Sequence, residues 1–268
     1  MATPIYQQFE QQWRYFRLAL QFFTRIPVGH IADFKEADLN KASRYFSLVG
    51  LTVALLLALT YHLLSGFLPL SVTVVLLLVV SVLITGAFHE DGLADMADGI
   101  GGGYTVEKRL TIMKDSRLGT YGALAIVLPT ALKLVLFFHL AELELLVFAL
   151  LLSHALSRAV AGSLIFDTPY VTEDSESKSK PLAQQQSSSD CWWLFAIALM
   201  PLVVAPTGVV SISFVFYLAL VLLVFRWLFK RWIMARLGGF TGDCLGGAQQ
   251  MAELLIALFI LSMAGGLG

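Results

Sequence analysis

Long apolar runs alternate with polar connections along the chain. A helix needs about 20 apolar residues to cross the roughly 30 Å hydrocarbon core of a bilayer. Seven runs reach or approach that length: Tyr45–Phe67, Leu70–Phe88, Tyr121–Leu140, Leu143–Phe166, Trp192–Pro206, Val209–Phe229 and Ala248–Ala264. The pattern predicts an all-α, polytopic membrane protein with about seven transmembrane helices. The fifth run is the weakest, because Pro201 and Pro206 interrupt a stretch that is already short. Tyr6–Phe23 mixes Arg14 and Arg17 with aromatics, which predicts an amphipathic helix lying in the interface. Residues 1–44 therefore read as an N-terminal interfacial segment, and 45–268 as one transmembrane domain without an internal repeat.

Composition agrees with the pattern. Of 268 residues, 57% are hydrophobic and 14% charged, whereas soluble domains carry about 25% charged residues. The lipid bilayer is thus an expected partner, and a net charge of −1 gives no reason to expect nucleic acid. The two cysteines, Cys191 and Cys244, lie in no metal-binding spacing. Residues Met1–Arg14 have no apolar core, so a cleavable signal peptide is not expected and the first span is the targeting signal.

Charge placement orients the spans. Apart from Lys133 and Arg158 within spans, and Arg226 close to the end of the sixth run, the Lys and Arg residues all fall before the first span or in alternate connections. By the positive-inside rule that side is cytoplasmic, which predicts a multi-pass inner-membrane protein. Connections on that side are also the long ones, so the active site is expected to face the cytoplasm. Thr172–Asp190, rich in Ser, Gln and charge, reads as a flexible loop.

Candidate chemistry concentrates in three cytoplasmic segments. In HEDGLADMADGIGGG (His89–Gly103), Asp91, Asp95 and Asp98 are spaced four and three apart and share one helical face. Crowded carboxylates at a low-dielectric boundary repel unless a cation neutralises them, and Mg²⁺ bridged to substrate phosphates meets that need. The alternative is a solvated acidic end of the second span's helix, where Asp opposes the macrodipole. Gly92 and Gly99 would let a phosphate or a neighbouring helix come close.

In MKDSRLGTYG (Met113–Gly122), Lys114, Asp115, Ser116 and Arg117 precede the third span. They suit anion binding, with Arg117 gripping a phosphate through two N–H groups, but flanking positive charge explains Lys114 and Arg117 equally well. In GGFTGDCLGGAQQ (Gly238–Gln250), glycines surround Asp243, a candidate metal ligand or general base, or else the N-cap of the last helix. Within the spans, His154 and Arg158 share a face. Arg158 is a candidate substrate-binding group or a snorkelling side chain. Lys133 reads as snorkelling or structurally paired, and Glu253 is left open.

Taken in order, FHEDGLADMADGIGGG, IMKDSRLGTYG and GGFTGDCLGG resemble the cobalamin synthase family, the adenosylcobinamide-GDP ribazoletransferases. FFTRIPVG (Phe22–Gly29) and RYFSLVG (Arg44–Gly50) are similar to that family's opening. The resemblance implies a Mg²⁺-dependent condensation of adenosylcobinamide-GDP with α-ribazole, or its 5′-phosphate, releasing GMP. It implies Asp91, Asp95 and Asp98 as Mg²⁺ ligands with Glu90 added, Asp243 as base or second ligand, Arg117 on the equatorial oxygens, and the ribazole 5′-oxygen as nucleophile. A fainter likeness to CDP-alcohol phosphotransferases fails at Ala94 and Asp95, where that family carries an Arg. The alternative from another class is a cation-coupled secondary transporter, whose carboxylates belong near the midplane. A membrane prenyltransferase would need a second acidic cluster. Homo-oligomerisation is left open.

Overall fold

The computed structural model describes residues 5–29, 31, 34–171 and 183–265. Among them, eleven α-helices follow in order: α1 (Ile5–Phe23), α2 (Glu36–Ala42), α3 (Phe46–Ser65), α4 (Leu70–Thr85), α5 (Phe88–Gly102), α6 (Val106–Met113), α7 (Thr120–Glu142), α8 (Leu146–Asp167), α9 (Ser188–Ala198), α10 (Ile212–Leu237) and α11 (Gly242–Gly265). The described residues form no strand; one isolated parallel bridge joins Tyr170 to Phe240 at the entry to α11. The all-α polytopic class is therefore correct.

The core is organised around α8. Its apolar stretch is 94% buried, with α3 against it on one side and α11 on another. Small side chains make this possible: Ala149, Ala155, Ser157, Ala159 and Gly162 all lie buried on α8, as interfaces between helices in lipid require. Gly50 of α3 rests against the carbonyl of His154, where a Cβ would collide. By contrast, α10 leaves Phe216, Leu220, Leu223 and Trp227 exposed. That apolar outer face suits acyl chains rather than water.

Among the described residues, five helical runs are long and apolar enough to cross a membrane: Glu36–Ser65, α7, α8, α10 and α11. The α4–α5 pair adds a sixth if counted as one span, but its halves are bent by 87°. Among the described residues the count is thus five or six, beside the expected figure of about seven. The expected fifth span, Trp192–Pro206, divides into α9 and a 3₁₀ turn at Met200–Val204. Pro201 cannot continue an α-helix, which leaves α9 only about 16 Å long.

The predicted amphipathic helix forms as α1, but it does more than float. Tyr15, Leu18, Ala19, Leu20 and Phe23 are buried, while Tyr6, Phe9 and Trp13 are exposed. Its C-terminal half belongs to the core. Of the predicted loop Thr172–Asp190, residues 172–182 lie outside the described residues, and the remainder is held in place. The Asn40 side chain accepts bonds from the backbone of Gln184 and Gln185 at 2.9 and 3.2 Å. Asp190, 2% exposed, pairs with Arg44 and Lys41. The segment thus combines a buried, paired Asp190 with exposed Gln185, Ser187, Ser188 and Ser189.

Candidate active site

The site begins at a break. Gly86 and Ala87 both take left-handed backbone conformations (φ 66° and 58°), a rarity for a residue with a Cβ. α4 ends there and α5 starts afresh at Phe88. The backbone N–H of Arg25 donates to the carbonyl of Ile84 at 2.7 Å, covering one of the oxygens that α4's end leaves free. The break reverses an electrostatic expectation. Glu90 and Asp91 occupy the first turn of a new helix, where its dipole favours negative charge, not the last turn of a span, where it would oppose it.

A glycine seam brings α5 and α11 together. A Cβ on Gly92 would stand 3.1 Å from Asp243 Cα and 3.5 Å from Gly246 Cα; one on Gly246 would stand 3.2 Å from the His89 carbonyl oxygen. Backbone lies where side chains would go, so Asp243 sits directly alongside the acidic helix. Gly99 does the same for α6, with Arg109 O 2.9 Å from its would-be Cβ. Of the two uses expected for Gly92 and Gly99, neighbouring helices take up both, leaving no room there for a phosphate. Thr241, whose Oγ1 accepts from the Cys244 N–H at 3.2 Å, caps α11. Asp243 is therefore not spent as the N-cap.

The carboxylates are crowded. Asp91 is exposed, Asp95 half-buried and Asp98 8% exposed. Burial first, then Asp243, Asp91 and Asp98, push Asp95 up to about 7. None of the ion pairs formed between described residues reaches Asp91, Asp95 or Asp243. The donor set, hard oxygens with uncompensated charge, fits a divalent ion. Among the described residues, no three His, Cys, Asp or Glu side chains converge closely enough to hold an ion unaided. Any ion held there would need substrate phosphates and water to complete its shell, as Mg²⁺ commonly does.

Asp98 has a second task. Its Oδ2 accepts from Gly119 N–H at 2.7 Å and its Oδ1 from Gly122 N–H at 2.8 Å, capping α7 and drawing the Lys114–Gly119 loop onto α5. Neither glycine could carry a Cβ without striking that carboxylate. On the loop, the Arg117 guanidinium grips Asp115 as a fork, with Nε–Oδ1 at 3.0 Å and Nη2–Oδ2 at 2.5 Å. The pair is solvent-facing, with Arg117's side chain 87% exposed, and hydrogen bonds from Arg117 hold Asp115 down at about 2. Lys114 and Ser116 are exposed on the same loop.

Behind the acidic face lies a buried polar chain that sequence reasoning largely missed. Gln250 Nε2 donates to Glu90 Oε1 at 3.1 Å, and Lys133 Nζ donates to Gln250 Oε1 at 3.0 Å. Lys133 also pairs with Glu253 at 2.7 Å, so of its two expected states it takes the paired one. Gln249 Nε2 bonds Glu253 at 2.6 Å and Ser157 at 3.1 Å. Arg158 is 3% exposed and donates to the His154 carbonyl at 2.9 Å, so it does not snorkel. The available signal was the recurrence of Gln249, Gln250 and Glu253 inside an apolar run. Beside this chain, Phe22, Phe23, Phe46, Phe88, His89 and Arg158 line a cleft that also touches Gly242 and Gly246.

Residues 15–261 match the family described as cobalamin-5-phosphate synthase. The chain is 49% identical over 253 residues to the adenosylcobinamide-GDP ribazoletransferase of Vibrio parahaemolyticus, covering 94% of this chain and 93% of the relative. It is 47% identical over 257 residues to the protein of that name from Shewanella pealeana, covering 95% and 97%. No solved structure matches it. Three glycine-bearing motifs, met in order along the chain and gathered around α5, thus lie within a stretch that relatives match nearly end to end, and the chain belongs to the cobalamin-5-phosphate synthase family.

Proposed function

We propose that the protein joins adenosylcobinamide-GDP to α-ribazole, or to α-ribazole 5′-phosphate, and releases GMP. The observation that carries this reading is the crowding of Asp91, Asp95 and Asp243 across the α5–α11 seam, in a chain whose relatives bear that activity in their names. The same relatives favour an enzyme over a cation-coupled transporter. The family's description as a 5-phosphate synthase bears on the nucleophile. A product that keeps a 5-phosphate needs an acceptor whose 5′-oxygen is already esterified. The attacking group is therefore another ribose hydroxyl, in place of the 5′-oxygen that the resemblance implied.

Asp91 and Asp95 would hold Mg²⁺ together with substrate phosphate oxygens and water, while Asp98, Glu90 and Asp243 would lie around them without completing its shell. Bound there, Mg²⁺ would supply charge neutralisation for the carboxylates and for the substrate diphosphate. The rest falls to the chain's own groups. A ribose hydroxyl attacks the phosphorus attached to cobinamide, a P–O bond forms, and the anhydride bond to GMP breaks. Asp243, in the first turn of α11, takes the hydroxyl proton. Arg117 exchanges Asp115 for a substrate phosphate, a swap of one forked oxyanion for another, and Lys114 and Ser116 lie on the same loop to assist it. The side bearing the Lys and Arg residues is read as cytoplasmic in an inner membrane, and on that reading the acidic seam would face soluble substrates.

The test is GMP release by purified protein from adenosylcobinamide-GDP, with each acceptor, with and without Mg²⁺. Turnover that needs both acceptor and metal supports the reading. Absence of GMP release with either acceptor refutes it, and metal-independent turnover refutes the role given to the aspartates.

A further inference from the structure

The aromatic cleft beside the seam has features that the phosphoryl chemistry does not use. α1 supplies Phe22 and Phe23, α3 supplies Phe46, and α5 supplies Phe88 and His89. The Phe23 and His89 rings stack with centroids 5.4 Å apart and planes 10° from parallel. Phe22 meets Phe88 edge-on at 5.1 Å. Into this apolar lining comes one buried cationic side chain, Arg158, whose Nε–H has no acceptor. A buried donor left unpaired is destabilising, so the cleft calls for an occupant that is flat, mostly apolar, and carries an in-plane acceptor. The wall also includes Gly242 and Gly246, which flank Asp243 on α11, so such an occupant lies against the helix that bears the proposed base.

We propose that this cleft binds the aromatic base of the acceptor nucleoside, with Arg158 donating to its free ring nitrogen. The inference rests on the proposed function, which supplies ribazole as acceptor. Ribazole's base is a benzimidazole: two fused rings, apolar edges, and one unsubstituted nitrogen acceptor. Guanine, the base of the other substrate, brings a carbonyl, an amino group and ring N–H groups that apolar walls would leave unpaired. An acyl chain would fill the aromatic walls but leave Arg158 Nε without an acceptor. Among these occupants, only the benzimidazole matches both the walls and the single donor.

The test compares Phe22→Ala and Phe22→Trp with the unaltered protein in lipid nanodiscs, reading the KM for ribazole and for adenosylcobinamide-GDP separately. Loss of one ring face raises the ribazole KM about tenfold, leaves the donor KM unchanged, and is repaired by Trp. A parallel measurement follows quenching of ribazole's own fluorescence on binding, which needs no turnover. An unchanged ribazole affinity in Phe22→Ala overturns the proposal. So does a rise confined to the donor KM, which would assign the cleft to guanine, or a bound lipid that ribazole fails to displace in native mass spectrometry. If unaltered protein binds ribazole in the cleft but releases no GMP, the proposed function fails while the cleft stands. If GMP is released and Phe22→Ala changes nothing, only the cleft fails.

Discussion

Lys133 on α7 and Glu253 on α11 meet at 2.7 Å with side chains only 9% and 2% exposed, joining two spans through a charge pair inside the bundle. Removing one partner strands the other charge among apolar helices, at a cost of about 3–5 kcal/mol. Lys133→Met is therefore expected to lower the unfolding temperature sharply in detergent, followed by tryptophan fluorescence. Adding Glu253→Leu restores part of the loss, because the orphaned carboxylate goes with it. Recovery stays incomplete, since Gln249 and His154 also lose a partner in Glu253.

Asp91 and Asp98 belong to one acidic face yet separate in their effects. Asp91 is exposed, while both oxygens of Asp98 hold the start of α7. Asp91→Asn is expected to cut turnover by about a hundredfold or more with no loss of stability. Asp98→Ala costs about 0.5–2 kcal/mol of stability, the range for a lost helix cap, and also lowers turnover by releasing the Arg117 loop. Denaturation midpoints set beside GMP-release rates distinguish the two. Equal destabilisation by both variants would contradict the division.

Much of this was legible in the chain, and the exceptions have physical causes. Spacing alone put Asp91, Asp95 and Asp98 on one face, and glycine density around Asp243 pointed to close backbone approach. The break at Ala87 was hidden, because alanine strongly favours helix and nothing in its side chain announces a left-handed conformation. That concealment placed Glu90 and Asp91 at the wrong end of a helix. The cleft was equally invisible. Phe22, Phe46 and Phe88 lie in three separate segments that carry the family resemblance, but nothing in their spacing says that they meet, and only packing gathers them around Arg158. Likewise the partner of Lys133 lies 120 residues along the chain, beyond any periodicity.

Gly92 gives a steric test of the seam. A methyl there would meet Asp243 Cα and carbonyl oxygen at 3.1 and 3.3 Å. These are backbone atoms, which cannot rotate aside as a side chain does, so Gly92→Ala must move α11 away from α5 by a few tenths of an ångström. Misplacement on that scale weakens chemistry that depends on alignment. The variant is expected to fold and insert normally while losing most of its turnover and its response to Mg²⁺. Full activity in Gly92→Ala would show that the distance between Asp243 and the acidic helix is not critical.

The crowding around Asp95 has a pH signature whose sign follows from its cause. Burial and the neighbouring carboxylates lift Asp95 from an ordinary 3.8 to about 7 in the folded protein. The folded state therefore holds this proton more tightly than the unfolded chain does. Its contribution to stability is fully present below the ordinary value and is lost as pH rises through about 7. Without Mg²⁺, the unfolding temperature is expected to fall between about pH 4 and 7, and Asp95→Asn, which cannot ionise, is expected to flatten that fall. Mg²⁺ competes with the proton for the same oxygens, so its stabilising effect should be larger at pH 8 than at pH 5.5, with a proton released on binding near neutrality. Melting curves across pH for both proteins, with and without Mg²⁺, decide the matter. An identical pH dependence in the Asn variant would show that the other aspartates do not press on Asp95, and the case for a divalent ion between them would lose its physical basis.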